Sequence, residues 1–320
     1  MVPHQPPYFL ARRVVARLGA VLLLAGALAG CSSVKRAAVG TLADTLAGGG
    51  NAYASDEDPE LIRQAVPFSL KLMESTLVQT PRHKALLQAC CSGFTQFAYG
   101  FVLQEADEAE AGDFAKAEAL RLRGRKLLLR ARGYGLRGLE VSHPGFADAL
   151  AKDPLSAVSR LSPDEVGLAY WTAACWGAAI SVSKDDPDLI GQLPQVEALI
   201  DRALALDEGF GKGSIHGFLI SYEMMRQGEK GDPTPRARRH YERAVALSQG
   251  LSAGPHVTWA ESVCVTNRDG AGFDEALAKA LAIDPDKVPA SRLENILMQR
   301  RARWLQERRD ELFIGSARKR

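Results

Sequence analysis

A chain of 320 residues with 46% hydrophobic and 24% charged residues has a globular composition and is long enough to bury a large core. Its formal charge of +2 provides no global field for a polyanion, which excludes nucleic-acid binding by bulk charge. Five cysteines with no Cys-x-x-Cys pair and no Cys/His ligand spacing exclude the common zinc frameworks.

The N-terminus reads as a lipoprotein signal. Arg12, Arg13 and Arg17 form a basic segment, Leu18 to Ala29 an apolar one too short to span a bilayer comfortably, and Leu28-Ala29-Gly30-Cys31 a small-residue box ending in cysteine. Residues 1–30 are thus expected to be removed, leaving Cys31 as the lipid attachment point at the first mature position. The cleavage takes away three arginines and no acid, so the formal +2 becomes about −1. Ser32 and Ser33 follow, with no Asp at the second mature position, and the expected location is the periplasmic face of the outer membrane, held through the lipid alone. Residues 31–58 read as the lipidated N-terminus and a flexible tether, on the strength of Gly48-Gly49-Gly50 and Ser55-Asp56-Glu57-Asp58.

From Pro59 the pattern turns helical, with Asp58 as N-cap, Pro59 at the first helical position and Glu60 at the positive end of the dipole. Ala85 to Gln104 and Val166 to Ser183 carry no charge. Both have the length of a membrane span, but their Ala, Gly, Ser, Thr and Cys content suits close helix packing in a soluble bundle. Ser162-Pro163-Asp164-Glu165 is a good N-terminal cap for the second. Cys90, Cys91, Cys175 and Cys264 lie in or near such patterns and read as buried free thiols.

The C-terminal half repeats itself loosely. Residues 198–207, 238–247 and 275–285 look like copies of one helix, and aligning Ala203, Ala244 and Ala280 gives spacings of 41 and 36 residues. That is near the roughly 34 residues of a tetratricopeptide repeat. Gly112-Asp113-Phe114 with Ala117 resembles the start of the same helix earlier on, and the partner helices are inferred at Ser214 to Met225 and Gly254 to Cys264. The expected fold is all-α: stacked helical hairpins with degenerate tetratricopeptide-like repeats in a single helical domain over residues 59–313. A last helix from about Arg292 to Phe313, with Ser291 and Glu294 as a capping box, closes the stack before a basic tail at 314–320. Arg300, Arg301, Arg303, Arg308 and Arg309 are interleaved with Glu307, Asp310 and Glu311, the pattern of a salt-bridged helix face.

No catalytic constellation is visible: there is no phosphate loop, nucleophile elbow or metalloprotease helix, and His143, His216, His240 and His256 have no partner at diagnostic spacing. The chain therefore reads as non-enzymatic, with no metal site and no cofactor, and His216 as a hydrogen-bonded core residue. The aromatics are more suggestive. Tyr99, Tyr170, Trp171, Trp176, Tyr222 and Trp259 are candidates to line an apolar ligand cavity with their polar tips orienting the ligand, with Glu223 beside them; core packing is the competing reading. Trp171 and Trp176, five apart, do not share a face, so their helix is contacted from several sides.

The strings Tyr-Trp-Thr-Ala-Ala-Cys-Trp-Gly-Ala-Ala-Ile at 170–180, Ser-Lys-Asp-Asp-Pro at 183–187, Val-Glu-Ala-Leu-Ile at 196–200 and Gln-Arg-Arg-Ala-Arg-Trp-Leu at 299–305 resemble the T-component of tripartite ATP-independent periplasmic (TRAP) transporters. The resemblance covers about residues 59–313. It implies a periplasmic accessory lipoprotein, a homotrimer with a pore or cavity through each subunit, which docks the solute-binding P-component and handles a hydrophobic or organic-acid ligand. An outer-membrane tetratricopeptide scaffold that touches no small molecule is the other reading. An aromatic-lined cavity favours transport, and a solid core with only a concave groove favours the scaffold.

Overall fold

The computed structural model describes residues 38–313 apart from positions 227 and 229. The expected signal peptide, Cys31 and the 314–320 tail lie outside the described residues. Every regular element among the described residues is helical, as the sequence pattern requires.

The first two helices fall where a tether is expected: α1 spans 38–48 and α2 spans Gly50–Ala54. The glycines conceal an apolar stripe, with Ala43 fully buried in the main core and Leu46 and Ala47 packed against it. Spacings of three and four residues put these side chains on one helix face, so the segment docks on the body where a free spacer was expected. Helix α3 (Pro59–Gln79) starts as read, with the Asp58 carboxylate accepting from the Glu60 and Leu61 amides.

Helix α4 (Lys84–Ala109) is the one described helix long and apolar enough to cross a membrane, yet it packs inside the body among α3, α5 (Phe114–Ser142) and α8. Its fellow, α8 (Val166–Ser181), is buried on most sides and begins after the Ser162/Glu165 capping box. Between α5 and α8 stand α6 (Phe146–Lys152) and α7 (Pro154–Ser159). The α5–α8 contact is close because α5 presents glycine there: a Cβ at Gly135 would fall 2.1 Å from the Thr172 Oγ1, and one at Gly138 2.5 Å from Leu168. Cys90, Cys91, Cys175 and Cys264 are free and buried, as expected.

After the short α9 (Pro187–Ile190), the chain runs in helix pairs. Helix α10 (Leu193–Leu206) lies on α8; α11 (Ser214–Glu223) pairs with α12 (Thr234–Leu247); and α13 (254–267) pairs with α14 (Gly270–Leu281). Ala203, Ala244 and Ala280, aligned from the sequence, are all fully buried in α10, α12 and α14, and both inferred partner helices are present. Helix α15 (Arg292–Glu307) packs on α13 and α14 and breaks at Arg308 before the short α16 (Arg309–Leu312).

Burial divides into two apolar cores. One gathers residues from Ala43 to Tyr222, around α4, α5, α8 and α10; the other runs from Ile220 to Phe313, around α12 to α15. The α5–α8 packing makes a sharp test. Gly135→Ala should cost about 1–3 kcal/mol by forcing the helices apart. Gly217→Ala, where no atom lies within 4 Å of the added methyl, should be neutral or stabilising by up to about 1 kcal/mol. Urea denaturation of the two variants checks both.

Candidate functional site

A cavity of about 1210 Å³ lies between the two cores. Its walls come from nearly every layer of the fold: α1 to α4, α8, α11, α13 and α15. Small and amide side chains explain why the helices leave space here. On α4 the stripe Ala85, Gln88, Ala89, Ser92, Gly93 and Gln96 faces the cavity at three- and four-residue spacing, and on α8 Ala174, Gly177, Ala178 and Ser181 do the same. Side chains this short cannot reach the opposite wall. Met73, Phe101, Phe218 and Leu297 add large apolar surfaces to the lining.

Salt bridges close the wall between the N-terminal helices and α15. Arg301 Nη1 is 2.9 Å from Asp107 Oδ2, and its Nη2 donates to Glu261 Oε1. The adjacent Arg300 holds Glu108 at 2.6 Å, and Arg292 Nη1 donates to the Ser55 carbonyl at 3.0 Å. Burial disfavours the Arg301 charge, but Glu261 and Asp107 outweigh that and hold its pKa above the ordinary value. Burial pushes the Asp107 carboxyl upward in spite of Arg301. Of the interleaved charges near the C-terminus, Arg308 pairs with Glu311 inside the run, whereas Arg309 reaches Asp274 on α14.

Both acids that clamp Arg301 lie in or just after a π-helical turn: Ala98–Leu103 in α4 and Trp259–Cys264 in α13. Such turns insert a residue into the helical register and concentrate at functional sites. Here they turn Tyr99, Gly100 and Phe101 of α4, and Glu261 and Ser262 of α13, toward the cavity.

Four of the six aromatic candidates line this space. Tyr99 is 55% accessible although it sits deep in the molecule, because its open face looks into the cavity, and burial raises its phenol pKa. Tyr170 sits edge-on to Trp171 at 4.9 Å between centroids, with Ser214 next to its hydroxyl, and burial raises its phenol too. Tyr222 stacks on Phe218 at 5.4 Å. The other two candidates are core residues. Trp176 points away from the cavity, donating its indole N–H to Gln192 at 3.1 Å under the Arg132 guanidinium. Trp259 is stacked on Tyr241 at 5.0 Å and covered by Arg238. Trp171 and Trp176 thus face different neighbours, as their spacing required. Glu223 is buried by ion pairs to Arg226 at 2.8 Å and Arg236 at 2.7 Å, away from the lining.

Sequence reasoning missed Glu294, Glu261 and Arg301. Glu294 does not cap α15: no side-chain cap bond forms at Ser291, and the carboxyl faces the cavity. The stripe on α4 was readable in principle, since its glutamines and serine recur on one face of an otherwise apolar helix.

His216 is a hydrogen-bonded core residue as read, though the fold supplies partners that the spacing hid: Nδ1 lies 2.8 Å from His240 Nδ1, and Nε2 lies 3.2 Å from Glu208. His256 Nδ1 meets the Tyr241 hydroxyl at 2.8 Å. No group of three or more His, Cys, Asp or Glu side chains is arranged to hold a metal among the described residues.

An all-helical body folded around a tyrosine-lined chamber, with Arg301, Asp107 and Glu261 of its wall engaged in structural pairs, has the form of a binding protein. The family profile of the TRAP transporter T-component matches residues 55–313, and the chain belongs to that family. An uncharacterized protein of Treponema pallidum (strain Nichols) is similar, 30% identical over 304 residues that cover 89% of this chain and 94% of the relative.

Burial brings His240 and His256 down to about 4, and lowers His216. A free imidazole titrates near about 6.5, so the unfolded chain takes up these protons first as pH falls. Their contribution is complete above about pH 6.5 and is lost on the way down to about 4, on the order of 1–3 kcal/mol for each of the two. Glu165, held at about 2 despite burial by His143, Lys84 and the Ser162 amide, loses its contribution only below the ordinary carboxylate range. The melting temperature should therefore fall in two stages, the first between pH 6.5 and 4, and His256→Gln should flatten that first stage.

Proposed function

We propose that this protein is a non-enzymatic lipoprotein accessory of a TRAP-type transport system. It docks the periplasmic solute-binding P-component and holds a ligand with a large apolar surface in the cavity between its two cores. The observation that carries the reading is the chamber itself: about 1210 Å³ with Tyr99, Tyr170, Trp171 and Tyr222 in its wall, in a family of transport accessories. A pure scaffold would gain stability by filling such a space, because unfilled apolar volume forfeits contacts. Cys31 anchors the protein to the periplasmic face of the outer membrane, and three copies assemble as a homotrimer. The lipid holds the accessory in place while the soluble P-component comes to it.

Immobilised full chain should retain the solute-binding P-component of its own transport system; absence of retention where a known partner pair survives overturns the docking reading. Native mass spectrometry should show the trimer, and a monomer at high micromolar concentration overturns it. Trp171→Ala should weaken ligand binding more than it lowers the melting temperature; Trp176→Ala should do the reverse, costing about 3–5 kcal/mol through the core contact it fills.

A further inference from the structure

Ten titratable side chains border the cavity, and six of them are carboxylic acids or strong bases: Asp107, Glu261 and Glu294 on the acidic side, Arg121, Lys212 and Arg301 on the basic side. Four are already spent on one another. Arg301 is clamped by Asp107 and Glu261, and Arg121 is held by Glu110 at 2.9 Å and Glu118 at 3.0 Å, with Asp107 at 3.7 Å. Lys212 is exposed on the Phe210–Lys212 turn and forms no ion pair among the described residues. Glu294 is different from all of these.

It projects from the first turn of α15 into the cavity, to which its side chain is exposed, and forms no hydrogen bond or ion pair among the described residues. No cation is close enough to shift its ionisation; burial alone acts on it, and raises its pKa. Its carboxyl does bear on Tyr170, which in turn feels Tyr99. Its Oε1 lies beside the start of α13, 3.4 Å from where a Cβ at Gly254 would stand.

We infer that Glu294 is the polar anchor of the ligand site, and that the cavity selects an amphiphile with an ammonium head group over an organic anion. An unpaired carboxylate in the wall repels a second one, whereas an ammonium supplies both the opposite charge and the missing donors. Tyr99 and Tyr170 add ring faces, which favour a partly desolvated cation and do nothing for a carboxylate. Met73, Phe101, Phe218 and Leu297 then accommodate the apolar body. The inference rests on the reading of the cavity as a ligand site and adds the ligand's charge class.

Calorimetric titration of the full chain with decylamine, decanol and decanoate, each below its micelle concentration, tests it. Decylamine should bind at least about tenfold more tightly than decanoate, with decanol between them, and Glu294→Gln should erase most of the amine's advantage while leaving decanol unchanged. Decanoate binding as tightly as decylamine overturns the inference, and so does a Glu294→Gln variant that keeps the amine preference. Decanol binding alongside either result leaves the cavity reading standing. Failure of all three probes to bind overturns both. If Glu294→Gln does not fold, the ratio of amine to carboxylate on the unmodified chain still decides.

Discussion

The Arg301 guanidinium, shared between Asp107 and Glu261, is the contact on which the rest of the architecture depends. It joins the end of α4 to α13 and α15, elements that belong to opposite cores. A partly buried ion cluster of this kind contributes little net stability, because desolvation consumes most of the Coulomb attraction. Its value is geometric: a fork of donors meets two carboxylates only in one register. With Arg300 on Glu108 and Arg292 on the Ser55 carbonyl, it closes one wall of the chamber.

Given that closure, the chamber follows from side-chain length. The same small residues play two opposite parts in this fold. On α5, glycine lets α8 approach until a single methyl group would collide. On α4 and α8, Ala85, Ala89, Ser92, Ala174, Ala178 and Ser181 line the cavity and their shortness leaves open volume, while Gly93 and Gly177 beside them sit against Leu70 and Phe218. The histidines and Glu165 fill polar gaps between packed helices, His216 bonding to His240, His256 to Tyr241 and His143 to Glu165.

Much of this was legible in the residues. Asp58, the Ser162/Glu165 box, the uncharged helices and the alignment of Ala203, Ala244 and Ala280 each follow from local rules, and local rules suffice for helices and their pairing. The docked helices at 38–54 were hidden because three glycines outweighed an apolar stripe only a few residues long. Trp176 and Trp259 show where aromatic content stops being informative: ring size says that a residue is buried, whereas the arginine above it and the acceptor at its N–H decide against what. Glu294 was misread for a related reason. Ser-x-x-Glu describes a cap when the chain is free to form it, but here the side chain points into a space lined by residues from Leu46 to Arg301.

The π turns at Ala98–Leu103 and Trp259–Cys264 bear on how this chain can vary over time. Each adds one residue to a helix without breaking it, and one residue corresponds to about 100° around the axis. Removing a residue from the turn in α4 would restore a regular helix and swing Asp107 about a quarter of the way round, off Arg301, while leaving every residue before Ala98 in place. Substitutions in these helices are therefore cheap relative to single-residue length changes. The two insertions are also coupled through one guanidinium, since the first sets the angle at which Asp107 leaves α4 and the second carries Glu261.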